Sequence, residues 1–459
     1  MSYKYGPLSL EIRRRKLRDI LDEGKDIGTI KIPKIASIPT NVLKTYKIPL
    51  DCLVYNPHNQ RFASRASTFK IRGGSLNPDN LDHIEHIKKF LREYKDPGRN
   101  KSTIDSLVED GQLKAGIVSI DGVILSGNRR FMLMNEIMEN LDQYPNPPST
   151  KENVKHFEAA IIDQFLDKEQ ILRLESFFQY GEDEKVDYGP IEKYLAVDEQ
   201  SRSGFTTAEI YKNFQAIAKN ESEIKRWLQV FKLMEEYLRH IGEPGIYTAL
   251  YRQQDKNTGD SHTRESREEL FAILYRNLKM LRNRTGVAKD AWGYSDNDIK
   301  EYKMLCFDYI RFYVSGRDAF RDFIDFFATK NKGDWVYFFK QHKETMSKAQ
   351  LQVHNFDKYR KGYPKINEED ISKLRSNDFV KVVREDFNRA MRRQKAIKDE
   401  QKAQSQPVQI LEQIENAISK FESAMERIKD KKSTTYINAL TFFSNKIMKR
   451  INNLKQKLD

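Results

Sequence analysis

Gly122-Val-Ile-Leu-Ser-Gly-Asn-Arg-Arg-Phe131 is the stretch on which the fold of this chain turns. Val123, Ile124 and Leu125 make an apolar run that ends in Ser126-Gly127-Asn128, and a helix is expected to start with Arg129-Arg130. A strand running straight into a helix leaves backbone N–H groups without intrahelical partners at the junction. Together with the helix dipole these favour an anion. Gly127 lets the backbone approach a ligand closely, and two guanidiniums can fork phosphate oxygens. Two arginines in a first turn oppose the dipole, which asks for a negative partner. The bland alternative is a surface arginine pair with ordinary capping.

Working outward, Gly116 to Leu125 reads as strand–turn–strand, with Asp121-Gly122 as the hairpin signal. Before it, Ser102 to Asp110 is a short amphipathic helix stopped by Gly111. Tyr46 to Leu50 and Cys52 to Tyr55 read as extended pieces, closed by the Asn56-Pro57 turn. Between them and the helix, Phe62 to Arg99 looks like a polar insertion around one helix, Asp79 to Tyr94. After the junction come a helix, Arg129 to Leu141, and a Pro-rich loop, Tyr144 to Ser149. Beyond Asp167 nearly everything has helical spacing. The expected fold class is therefore an α+β N-terminal domain followed by a mostly all-α remainder. The expected division is a basic helix or arm over 1–44, the α+β domain over 45–166 and a helical region over 167–245. A helical domain over 246–372, a basic linker helix over 373–406 and a C-terminal helical hairpin over 407–459 complete it.

Composition sets limits on function. The 459 residues carry 80 Lys and Arg against 67 Asp and Glu, a net charge of +13, which favours polyanionic partners. No apolar run is long enough for a membrane span, and the N-terminus has no apolar segment of a secretory signal. Cys52 and Cys306 are the two cysteines, far apart, so a disulfide framework or cysteine zinc site is not expected and a reducing cytoplasm fits. His83 and His86 lie three apart on a helix, without a third ligand at metal spacing, and read as surface residues. No P-loop, G-x-S-x-G or H-E-x-x-H is present.

Three further pieces occur in order around the arginine box: Asn56-Pro-His-Asn-Gln-Arg61, Ile104 to Leu113 ending in Gly111-Gln112, and Leu174-Glu-Ser-Phe-Phe-Gln179 leading into Tyr188 to Tyr194. The order resembles the ParB/sulfiredoxin-like superfamily, specifically the ParB-type nucleotide-binding domain, over about Ile48 to Leu195. The resemblance implies a nucleoside triphosphate, CTP or ATP with magnesium. Gly111 and Gln112 would border base and sugar, Gly127, Asn128, Arg129 and Arg130 would hold the triphosphate, and Arg61 would reach it. Glu175 would help hold magnesium or water and is the one candidate catalytic residue, for triphosphate hydrolysis. Asn128 stands where the family usually has Glu, Ser176 and Tyr180 replace the Asn and Arg of the last box, and Lys114-Ala115 follows where Gln-Pro is expected. A sulfiredoxin nucleophile would fall on Gly127-Asn128, and neither is a thiol.

Farther on, Phe205 to Phe214, capped by Thr206 or Thr207 with Glu209 near the capping-box position, precedes Ser222 to Phe231. Ile210, Phe214, Ile217, Ile224, Leu228 and Phe231 give the inward stripe of a helix–turn–helix, again in the ParB order. Ser222, Lys225, Arg226, Gln229 and Lys232 are the candidate contacts to double-stranded DNA, with Glu221 and Glu223 at the helix start. Arg389, Arg392, Arg393 and Lys395 offer a second basic group. Ile414, Ile418, Phe421, Met425 and Ile428 keep heptad spacing, and Ile437, Leu440, Ile447, Ile451 and Leu454 make a second stripe. This αα-hairpin is expected to pair with another copy or a larger assembly. The expected function is a ParB-like, nucleotide-switched DNA-binding protein of a prokaryotic or phage cytoplasm, nucleoid-associated. Alternatives on the same scaffold are a nucleotide-dependent nuclease, a small-molecule kinase, or a degenerate interaction subunit of a phage or defence assembly.

Overall fold

The computed structural model describes residues 4–92, 97–180, 189–251, 267–312, 317–353, 361–362, 368–426 and 434–458. Its N-terminal part is built on five strands: β1 (Gly28–Lys31), β2 (Val42–Pro49), β3 (Gly116–Ser119), β4 (Ile124–Ser126) and β5 (His156–Ile162). They lie in the order β1-β2-β5-β3-β4. β3 runs parallel to β5, with Gly116 opposite Ala159, and the other neighbours are antiparallel. Successive strand residues point to opposite faces. Val118, Ile124 and Ile161 enter one core with Ile48, Phe131 and Phe157, whereas Ile117, Leu125 and Ile162 enter a second with Ile32, Ile35 and Leu174. A sheet covered on both sides explains why Ala159 to Ile162 of the central strand is a continuous buried run.

The helices α1 (Leu10–Glu23), α2 (Ala63–Gly73), α3 (Leu81–Arg92), α4 (Pro97–Glu109), α5 (Asn128–Glu139) and α6 (Pro147–Val154) belong to this part. Here the structure adds to the sequence reading. The polar insertion Phe62 to Arg99 holds α2 and the start of α4 besides the expected helix. The Pro-rich loop opens α6, since Asn146 accepts from the Ser149 N–H and proline suits the first helical position. Cys52 to Tyr55 is not a paired strand: a 3-10 turn covers Leu50–Cys52, and Val54 alone bridges Val123. The basic cluster of α1 is largely occupied within the protein. Arg13 is 2% exposed and bonded to Asp79, Leu8 and Asp121, while Arg14 pairs with Asp121.

A helical remainder follows: α7 (Lys168–Tyr180), α8 (Pro190–Arg202), α9 (Thr207–Phe214), α10 (Glu221–His240), α11 (Glu268–Asn283), α12 (Asp296–Phe312), α13 (Arg317–Asp322), α14 (Ile324–Phe327) and α15 (Lys332–Val353). Phe320, Phe323, Phe326 and Phe327 are buried, with Phe327 packed against Tyr302 and Trp335, so this aromatic cluster is core. The chain divides into a unit of residues 1–387 and a second of residues 388–459. A long helix, α16 (Glu368–Glu426), continues through Pro407, where a boundary between linker and hairpin was expected; a helix this long tolerates the one missing backbone donor. In the second unit Ile414 and Ile418 of α16 and Ile437, Leu440, Ile447 and Ile451 of α17 (Thr434–Leu458) are all exposed.

Residues 253–262, Tyr188, and the hairpin connection with Ile428 lie outside the described residues. Cys52 and Cys306 are buried free thiols. Among the described residues no helix is long and apolar enough to cross a membrane.

Candidate functional site

The strand–helix junction read from the sequence has its physical basis in Gly127. Its φ is +106°, in the left-handed region, and a Cβ there would stand 2.7 Å from Cζ of Phe157. Any other residue would be strained by backbone and neighbour alike. From this glycine α5 begins. Its first ladder bond runs from the Phe131 N–H to the Gly127 carbonyl, so the N–H groups of Asn128, Arg129 and Arg130 precede it. No side chain caps this end and its first turn holds no acid. Arg129 donates through Nε to Asn100 of α4 (2.9 Å), and Arg130 donates to the Lys114 carbonyl. The result is a helix start with positive partial charge, flanked by two oriented guanidiniums.

Asn128, where the resembling family carries Glu, faces inward at 2% exposure. It donates to the Ile124 carbonyl (2.7 Å) and accepts the Asn56 N–H (2.9 Å), fastening the Asn56–Arg61 loop to the start of α5. The Asn56 side chain donates in turn to the Glu175 carboxyl on α7. Glu175 is also 2% exposed. Burial, with Glu199 nearby, pushes its pKa well above the usual glutamate range, against the lowering effect of Asn56. Its neighbour Ser176 accepts from Gln200 of α8 (2.5 Å), which accepts from Asn213 of α9 (2.9 Å). Polar links thus run from the first residue of α5 through α7 and α8 to α9, the first helix of the expected helix–turn–helix.

The other candidate residues are placed as follows. Gly111, with φ +76°, ends α4, and the Gln112 amide is bound to the sheet. Its Nε2 donates to the Glu158 carbonyl (2.6 Å) and its Oε1 accepts the Glu158 N–H (2.9 Å), much as another strand would. Arg61 sits in the loop fastened to Asn128, and its backbone N–H donates to Asn59. Beside it Gln60, which sequence reasoning passed over, is 1% exposed, and neither end of its amide has a hydrogen-bond partner among the described residues. A buried amide left unbonded is costly, so this loop is suited to a polar ligand group. Only its place in the Asn-Pro-His-Asn-Gln-Arg turn could have drawn attention to it.

The junction fits a phosphate group: uncapped N–H donors, two arginines and a glycine approach lie together. The fit to magnesium is narrower. Among the described residues no three His, Cys, Asp or Glu side chains converge. A magnesium ion carried by phosphates needs only one or two protein carboxylates, but Glu175, the candidate, is bonded to Asn56 and favours its protonated form.

The helix–turn–helix pair forms as two helices. Thr206 and Glu209 make the capping box, and Asn220 caps α10 by accepting the Glu223 N–H. Ile210, Phe214, Ile224 and Phe231 are fully buried, whereas Ile217 is 38% exposed; it belongs to the turn, and Ala218 is the residue that points inward. Ser222 is exposed at the start of α10. Lys225 pairs with Glu221 (2.9 Å) and Arg226 with Glu223 (2.6 Å), so these candidate DNA contacts are matched by their own helix. Gln229 and Lys232 face α11 and α12 across a cleft. The chain matches no protein-family model, no curated protein and no solved structure.

Proposed function

We propose that this chain is a nucleotide-dependent DNA-binding protein of ParB-like design, in which the start of α5 grips the phosphates of CTP or ATP. The observation that carries this reading is the left-handed Gly127 leading into an uncapped helix start that bears Arg129 and Arg130. Such an end opposes its own cations through the dipole, typically by about 0.3–1 kcal/mol each, and an anion reverses that sign. The unbonded Gln60 amide in the adjoining loop supports a polar ligand there. Phosphates bound at Asn128 bear on Asn56 and Glu175, and through α7 on the helices that meet DNA. The pairing of two chains through α16 and α17 belongs to the same reading, supported by their exposed isoleucine stripes.

Calorimetric titration with CTP, ATP and GTP, each with magnesium, tests the proposal. Saturable binding of one nucleotide is expected, weakened on the order of 10- to 100-fold by Arg129→Ala, as losing a charge-assisted bond of about 1.5–3 kcal/mol requires. The far-ultraviolet spectrum should not change. Equal binding by the variant removes the assignment. A second reading, an interaction subunit whose pocket has lost hydrolysis, is favoured by the burial of Glu175 and by Asn128 in place of Glu. It predicts nucleotide binding without phosphate release.

A further inference from the structure

The cations at the start of α10 are matched by Glu221 and Glu223, but those two turns further along are not. Lys232 of α10, Lys279 and Arg282 of α11 and Lys303 of α12 line one cleft of about 430 Å³, together with Gln229. Glu236 is the single carboxylate in that lining, and Lys303 already pairs with it. Lys279 and Arg282 make no ion pair among the described residues, and neither does Lys232, whose charge is felt by Asp198 of α8 without an ion-pair contact. Residues 279 and 282 lie near the C-terminus of α11, where the helix dipole by itself welcomes a cation. That local explanation does not reach Lys232 or Lys303, which stand in the middle of their helices. Two helices, α10 and α11, thus bring cations without an ion pair into one concave place, beside the paired Lys303 of α12, and no charge pattern within one helix accounts for it.

We propose that this cleft seats the backbone phosphates of duplex DNA, so that the DNA footprint lies on the middle of α10 with α11 and α12 rather than on the start of α10. The inference rests on the DNA-binding reading and gives it a location. Phosphate contacts need cations and amide donors at the wall of a groove, without base-specific geometry. Lys232, Lys279, Arg282 and Gln229 supply them, while Lys303 is held in place by Glu236. The helical region after residue 245, whose role the sequence left open, thereby becomes half of the interface.

The test compares the full chain with Lys232→Glu/Lys279→Glu/Arg282→Glu and with a charge-matched control, Lys289→Glu/Lys300→Glu/Lys330→Glu, exposed on the same helical region outside the cleft. Binding to a fluorescent 24-base-pair duplex is followed by anisotropy at several salt concentrations, and nucleotide binding by calorimetry. A neutral set, with Gln at 232, 279 and 282, guards against misfolding of the charge-reversed one, and circular dichroism checks each variant. In the cleft variants duplex affinity is expected to fall on the order of 10- to 100-fold, and the slope of log affinity against log salt to flatten by about two to three. The control should fall much less, and nucleotide binding should be unchanged in all. If cleft variants and control lose the same affinity, the charge acts only in bulk and the cleft assignment is overturned while the DNA-binding reading stands. If nucleotide binding is lost and duplex binding kept, the cleft is a nucleotide pocket and the proposal fails. A wild-type chain that binds no duplex overturns both readings.

Discussion

The starts of α5 and α10 carry opposite chemistry. α10 opens as an isolated helix prefers: Asn220 caps it, Glu221 and Glu223 sit in the first turn, and Lys225 and Arg226 answer them a turn later. Glu223 also accepts the Lys219 N–H, 2.9 Å away. α5 opens against those preferences, without a side-chain cap, without an acid, and with Arg129 and Arg130 where the dipole is positive. A helix start whose charges and donors are matched locally contributes folding stability and has little left for a ligand. One that has cations and no acid in its first turn opposes its own dipole and retains backbone N–H donors for an external anion. By this measure the start of α5, rather than that of α10, is the end that suits the proposed phosphate.

The comparison breaks most easily at Gly127. Gly127→Val forces a branched side chain into the left-handed region and onto Phe157, and the loss should be about 2–4 kcal/mol. Thermal unfolding would read this as a drop of many degrees. A change within a degree or two would mean that the junction relaxes and its geometry is not imposed. Asn220→Ala, at the matched end, should cost about 1 kcal/mol as for other capping residues, and should leave nucleotide affinity unchanged. A loss of nucleotide binding in that variant would erase the distinction between the two ends. The smallest shift is expected from Glu175→Gln, which keeps an acceptor for Asn56. Because burial raises the folded-state pKa of Glu175, the folded form binds more protons than the unfolded one. Its carboxyl therefore lowers stability progressively as pH rises above the usual glutamate range. The variant should match the wild type near pH 4 and melt higher at pH 8. A wild type that gains stability over the variant with rising pH would show a charged, well-solvated Glu175.

Much of this architecture is written in local sequence. The hairpin at Asp121-Gly122, the helix after Ser126-Gly127-Asn128 and the Thr206–Glu209 capping box depend on residues a few positions apart, and all three form. Errors arose where local signals were weak or where distant partners decided. Pro147-Pro148 reads as a loop until Asn146 is seen to cap a helix there. Ile217 fits the apolar period but falls in the turn, where Ala218 takes its place inside. The basic run of α1 gives no hint that Arg13 is buried beside Asp79, 66 positions away.

The sequence by itself determined the class of each half, the glycine junction with its two arginines and the self-matched start of α10. These depend on neighbours within a turn or a hairpin, where propensity, dipole and charge act through short separations. Only the tertiary structure decided that Gln112 joins the sheet and that Asn128, Asn56 and Glu175 form one buried chain. It alone gathered Lys232, Lys279, Arg282 and Lys303 around one cleft. Those arrangements join residues tens of positions apart, and the desolvation that raises the pKa of Glu175, or the excess charge of the cleft, exists only once packing has set which groups share a space.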